Sequence, residues 1–137
     1  MDYNIEGTIF GTITFFLLGW LVWGILLMDF SMNNYNQSIY LSEDQMIWWA
    51  LILSNIALAL LYTLILNWAN ATTMLDGIKI TATIGGLYAL SIDLGYYSMT
   101  TVILNVSAIV VDALAYILIS ALTGLVIMLT WGKKKVD

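Results

Sequence analysis

The sequence predicts an all-α integral membrane bundle of four transmembrane helices, forming one domain over residues 1–137. Three observations carry that expectation. Apolar residues make up 61% of the chain against 9% charged residues, the mean hydropathy is +0.92, and the apolar sequence falls into long runs separated by short polar segments. A soluble domain carries about a quarter charged residues, so the deficit points to hydrocarbon as the solvent. In hydrocarbon each backbone amide must find its partner within the segment, which makes helices the solution for runs of this length.

The first run extends from Thr8 to Met28. At a rise of about 1.5 Å per residue it comes to about 30 Å, the thickness of a bilayer core. Asp2 and Glu6 precede it with no basic residue, and no small-residue cleavage site follows it, so a cleavable signal peptide is not expected. Asp29 to Gln45 is polar and rich in Asn and Ser, ending in Ser42-Glu43-Asp44-Gln45, the spacing of a capping box opening the next helix. The second span, Met46 to Leu66, is apolar except for Ser54, Asn55, Tyr62 and Thr63. Asn67 to Gly77 is a short connection in which Thr73 and Asp76 offer another cap. The third span, Ile78 to Met99, is weakened by Asp93. The fourth lies between Val102 and Trp131, about residues 104–131. It exceeds one crossing and is expected to tilt or protrude.

Net charge is -5, from nine acids against four lysines, and nucleic acid is not an expected partner. Lys133, Lys134 and Lys135 crowd the C-terminal end and Lys79 opens the third span, while the loop from Asp29 to Asp44 has no lysine. An even number of spans puts both termini on one side. The excess of lysine there places that side in the cytoplasm. Trp20, Trp23, Trp48, Trp49, Trp68 and Trp131 lie mostly near span ends, where indoles favour the lipid interface.

Composition removes several chemistries. Cys, His and Arg are absent, so there is no disulfide, thiolate nucleophile, imidazole base or nitrogen–sulfur metal site. No catalytic residue, metal or cofactor is expected. Gly85-Gly86 has no following lysine and sits in an apolar span, unlike a phosphate loop. The acceptor sequences at Asn36, Asn70 and Asn105 are read as chance matches.

Two intramembrane acids stand out, because a charge at the bilayer centre costs on the order of 3 kcal/mol. Asp93 and Asp112 are equidistant from the connection around Thr101, so an antiparallel hairpin sets them at one depth. They are then a protonated hydrogen-bonded pair, a pair holding a cation, or two acids bonded separately to hydroxyls and amides. An aspartyl dyad is not expected, since the glycine-rich contexts of intramembrane aspartyl proteases are missing around both. Asp112, Tyr116, Ser120 and Gly124 recur every four residues; Gly86, Asp93 and Tyr97 follow at seven and four; Trp48, Asn55 and Tyr62 recur every seven. Asn55, Tyr62, Asp93, Tyr97, Asp112 and Tyr116 are thus expected to share the interior. They form either an ion or proton site or interhelical hydrogen bonds of about 0.6 kcal/mol each. Gly7 with Gly11, and Ser120 with Gly124, offer close helix packing within the chain or between protomers.

The runs Phe15-Phe16-Leu17-Leu18-Gly19-Trp20-Leu21, Gly24-Ile25-Leu26-Leu27, Trp49-Ala50-Leu51-Ile52-Leu53-Ser54-Asn55 and Ala89-Leu90-Ser91-Ile92-Asp93-Leu94 resemble small four-span membrane proteins of unknown function from Bacteroidota. More distantly the chain resembles the DUF1761 group. The resemblance implies four helices in a bacterial inner membrane and brings no site residues. Two functional expectations follow from the residues. One is a non-catalytic accessory or scaffold subunit, surrounded by membrane lipids and part of a homo-oligomer or larger membrane complex. The other is a proton or cation pathway through Asp93 and Asp112.

Overall fold

The computed structural model describes residues 2–131. These form α1 (Tyr3–Leu21), which runs on into one π-helical turn (Val22–Leu26), then α2 (Met28–Asn34), α3 (Trp48–Trp68), α4 (Met74–Met99) and α5 (Val106–Trp131). The architecture is all-helical. Three segments are long and apolar enough to cross a membrane: α1 with its π turn, α3 and α5. Helix α4 is as long as α5 but less apolar, carrying Asp76, Lys79 and Asp93. Lys133, Lys134 and Lys135 lie outside the described residues.

The helix starts differ from the sequence expectation for local reasons. Helix α1 begins at Tyr3 because the Asp2 carboxylate accepts from the Asn4 amide at 3.3 Å. The box expected at Ser42 does not open α3. Ser42 instead precedes a 3-10 turn, Glu43–Gln45, makes no capping bond, and is separated from α3 by extended backbone at Met46. The box at Thr73 does form. The Thr73 amide donates to Asp76 Oδ2 at 2.9 Å and the Asp76 amide to Thr73 Oγ1 at 3.1 Å, which starts α4 at Met74. Thr73→Ala should therefore lower stability by about 1 kcal/mol, read from SDS unfolding of the chain in mixed micelles.

The amide of Thr73 first, then its hydroxyl and the Thr72 amide, hold the Asp76 carboxyl below the usual carboxylate range. A depressed folded pKa means the carboxylate's contribution is complete above the ordinary carboxylate pKa and is lost as pH falls through the lower folded value. Acid titration of stability should show this loss in the native chain and not in Asp76→Asn.

Helix α5 is the centre of the molecule. It packs along α4 on one side and α1 on the other, α3 packs on α1, and α3 scarcely meets α4. In space the long helices therefore run α3, α1, α5, α4, a curved row left open between its two ends. The start of α1 and the end of α5 share one end, where Trp131 Nε1 donates to the Tyr3 carbonyl at 2.9 Å. That end is called the terminal end here, and the opposite one the loop end. Trp131 is thus a buried core residue and not part of an interfacial belt, whereas Trp20, Trp49 and Trp68 are exposed as expected.

Packing is tightest toward the terminal end. A Cβ on Gly77 would lie 2.9 Å from the Gly124 carbonyl oxygen; one on Gly124 would strike Thr81, and one on Gly85 would strike Ser120. The α4 and α5 backbones therefore touch, as small residues permit in lipid. Thr81 Oγ1 donates across this seam to the Ser120 carbonyl at 2.6 Å. Gly7 and Gly11 seat α1 against Thr63, Ala59 and Ile127, with 3.0–3.3 Å to the nearest atoms of an added Cβ. The small-residue motifs thus serve contacts within the chain. Phe15, Tyr62, Leu66, Ile119 and Ile127 fill the core among them.

At the loop end, residues 27–47 are ordered into α2 and two 3-10 turns, not an open loop. The Asn36 amide donates to the Val102 carbonyl at 2.9 Å and the Leu104 amide to the Asn34 carbonyl at 3.0 Å, pairing Tyr35 with Ile103 in an isolated antiparallel bridge. Buried Ile103, Ala108 and Ile109 pack with Phe30, Tyr35 and Val102 beneath it. This strap pins the α1–α3 connection over the end of the α4–α5 hairpin.

Candidate functional site

Asp93 on α4 and Asp112 on α5 meet at one depth, as the hairpin symmetry requires. They are 8% and 9% exposed, and their carboxyls lie within interacting reach of each other. Asp93 Oδ2 is buried and has no hydrogen-bond partner. Among the described residues no third acidic side chain joins the pair to form a metal-binding group. Each acid lies about 10 Å from the middle of its helix, toward the loop end. The site is therefore off-centre in the bundle.

The pair lines a cavity of about 420 Å³ whose other walls are aromatic: Trp23, Tyr35, Tyr40, Tyr88 and Tyr116. Ser31 and Gln37 supply its polar edge from the strap. Trp23 and Tyr35 meet edge to face, with ring centroids 6.2 Å apart at 89°, and Tyr88 and Tyr116 lie at 6.0 Å and 53°. Trp23 belongs to the π turn, which breaks the regular register of α1 at the cavity wall. Burial first, and then the charges of Asp112 and Asp93, push the Tyr35 and Tyr40 phenols above their ordinary range. Both stay neutral donors at physiological pH. Tyr35 donates to the Ala108 carbonyl at 3.5 Å.

A second cavity of about 820 Å³ opens alongside, in the gap between α3 and α4. Helix α1 forms its floor with Phe15, Gly19 and Trp20, and α3 forms a wall with Leu51, Asn55 and Leu61. Trp23, Tyr88 and Tyr116 line both cavities, so the two are adjacent.

The six residues expected in one interior divide among four places, three of them inside the bundle. Asp93, Asp112 and Tyr116 come together at the acid cavity. Asn55 is buried but faces the larger cleft, its Nδ2 donating to the Leu51 carbonyl of its own helix at 2.8 Å. Tyr62 is fully buried in the packed half, its hydroxyl 2.6 Å from Ser120 Oγ. Tyr97 is not in the interior. It is 43% exposed, because the last turn of α4 runs clear of its neighbours, with Tyr96 and Met99 exposed beside it. Removing the buried pairing with Tyr62→Phe should cost about 1 kcal/mol, measurable by the same SDS unfolding.

Sequence reasoning missed Trp23, Tyr35, Tyr40 and Tyr88. Tyr35 and Tyr40 sit in a segment with no helical periodicity, so nothing in the sequence gave their depth. Tyr88 is five residues before Asp93, off its helical stripe, and joins the cavity wall against Tyr116. No protein-family model matches the chain, and neither a curated protein nor a solved structure matches it. The functional reading therefore rests on the geometry.

Proposed function

We propose that the chain is a non-enzymatic membrane protein that binds a cation at Asp93 and Asp112 from the loop end. One observation carries this reading: a buried carboxyl pair, with an unpartnered Asp93 oxygen, lines an aromatic-walled cavity with no basic residue in its lining. A neutral structural pair would be expected to satisfy its oxygens within the protein. Asp29, Glu43 and Asp44 add negative charge at the same end and raise the local cation concentration. The setting proposed is a bacterial inner membrane, with four spans and both termini cytoplasmic. The lysine asymmetry supports that orientation, and the loop end then faces outward.

Closure of the terminal half supports a binding site over an open channel. Tyr62 and Thr81 both bond to Ser120 there, and the glycines hold α4 against α5. The same packed half favours a second reading, an accessory or scaffold subunit of a homo-oligomer or larger complex in which the acids serve packing alone. The two separate on titration of the full chain in lipid nanodiscs with tetramethylammonium, read by calorimetry. Binding should be measurable at millimolar levels. It should weaken more than about tenfold in the Asp93→Asn/Asp112→Asn double variant, while assembly and unfolding stay as in the native chain. Equal heats from native and double variant would leave the scaffold reading standing.

A further inference from the structure

We infer that the ligand is a single-tailed amphiphile of net positive charge, its amino or quaternary ammonium head at Asp93 and Asp112 and its apolar tail in the adjoining cleft. This inference rests on the cation-binding reading above and names the ligand class of that site.

Adjacency of the two cavities is the first argument. The carboxyl cavity of about 420 Å³ and the cleft of about 820 Å³ border each other at Trp23, Tyr88 and Tyr116, so a head held in the first lies beside the space for a tail in the second once those side chains part. Their chemistry changes sharply along that length. One end holds two acids, a buried carboxylate oxygen without a partner, and aromatic rings of the kind that attract alkylated ammonium groups. The other presents Phe15, Phe16, Leu51, Leu58 and Leu61 along its length, a surface that suits a hydrocarbon tail, with Glu43 at its loop end. Ligand sites of this size fall within the usual range of about 300–1,000 Å³.

Access supplies the second argument. Helices α3 and α4 scarcely touch, so the cleft opens sideways between two segments that lie in the bilayer. A tail can enter from the lipid without crossing the polar strap. Glu43 lines the cleft beside Trp48, and the loop end carries Asp29 and Asp44 besides. Phosphate-bearing and other anionic heads are repelled there, which selects a head of net positive charge.

The experiment compares three probes on the full chain in nanodiscs, with heats from empty nanodiscs subtracted: dodecyltrimethylammonium, tetramethylammonium and 1-dodecanol. The expected result is that the long-chain cation binds at least about tenfold tighter than tetramethylammonium, roughly what burial of two methylene groups supplies, and that dodecanol binds weakly. Gly19 lines the cleft and an added Cβ there meets nothing within 4 Å, so Gly19→Phe fills the tail space without a backbone clash. It should reduce the chain-length advantage below about threefold and leave tetramethylammonium binding as it was. Ala57→Phe, on the opposite wall, should do the same and covers the case in which the first variant does not fold. Equal affinity for the short and long cations overturns the inference and leaves the cation site intact. Dodecanol binding as tightly as the long-chain cation overturns it too, since the cleft is then an apolar groove without head selection. Failure of both cations to bind overturns the parent reading as well.

Discussion

Gly124→Leu is expected to separate α4 from α5 and to lower stability by about 3 kcal/mol or more, beyond the usual cost of overpacking a core. The reason is backbone contact. A Cβ at this position would strike the Thr81 side chain and the Gly77 carbonyl, and that carbonyl belongs to a helix that cannot rotate away. Separation would also break the bond from Thr81 Oγ1 to the Ser120 carbonyl, leaving that hydroxyl only the Gly77 carbonyl of its own helix. Steric trapping or SDS unfolding in mixed micelles reads the loss. Gly95→Ala is the matched control. It lies on α4 as Gly77 does, an added Cβ there meets nothing within 4 Å, and the change should stay within about 0.5 kcal/mol or stabilise slightly through helix propensity. If both glycine variants behave alike, the close approach of α4 and α5 is not what holds this half together.

The acid pair should respond to single and double substitution in very different degrees. Two carboxyls at one buried site repel when both are ionised, and sharing one proton leaves the pair one negative charge. An asparagine opposite a carboxylate reproduces both the bond and the charge, with an amide N–H in place of the shared proton. Asp93→Asn and Asp112→Asn should therefore each keep tetramethylammonium affinity within about threefold at neutral pH, whereas the double variant, with no charge left, should lose more than about tenfold. Calorimetry in nanodiscs measures all four proteins. A single variant that loses as much as the double would mean that the cation meets two charges, and that the shared proton leaves when it binds.

Much of the fold was legible in the sequence because hydrocarbon leaves so few options. A chain with 61% apolar and 9% charged residues must pair its amides locally, and the long helices follow with ends displaced by only a few residues. The common depth of Asp93 and Asp112 was also legible, since it depends only on their equal distance from one turn. The Thr73 cap was readable for the same reason: its partners lie three residues apart. Ser42 offered an equally good spacing and failed, because Met46 adopts extended backbone and α3 starts only at Trp48.

What the sequence determined by itself is thus whatever is set by distance along the chain: the helices, the hairpin register of the acids, and the small residues that let α1, α4 and α5 approach. Tertiary structure alone decided which face of each helix meets which neighbour. The apolar pattern is nearly uniform around these helices, because lipid and protein interior are equally acceptable to a leucine side chain, so periodicity carries little information about orientation. That is why Tyr97 lies outside, Tyr62 and Asn55 lie in separate compartments, and Trp131 is in the core. It is also why the cleft between α3 and α4, which lies beside the carboxyl pair's cavity, becomes visible only when the helices are placed beside one another.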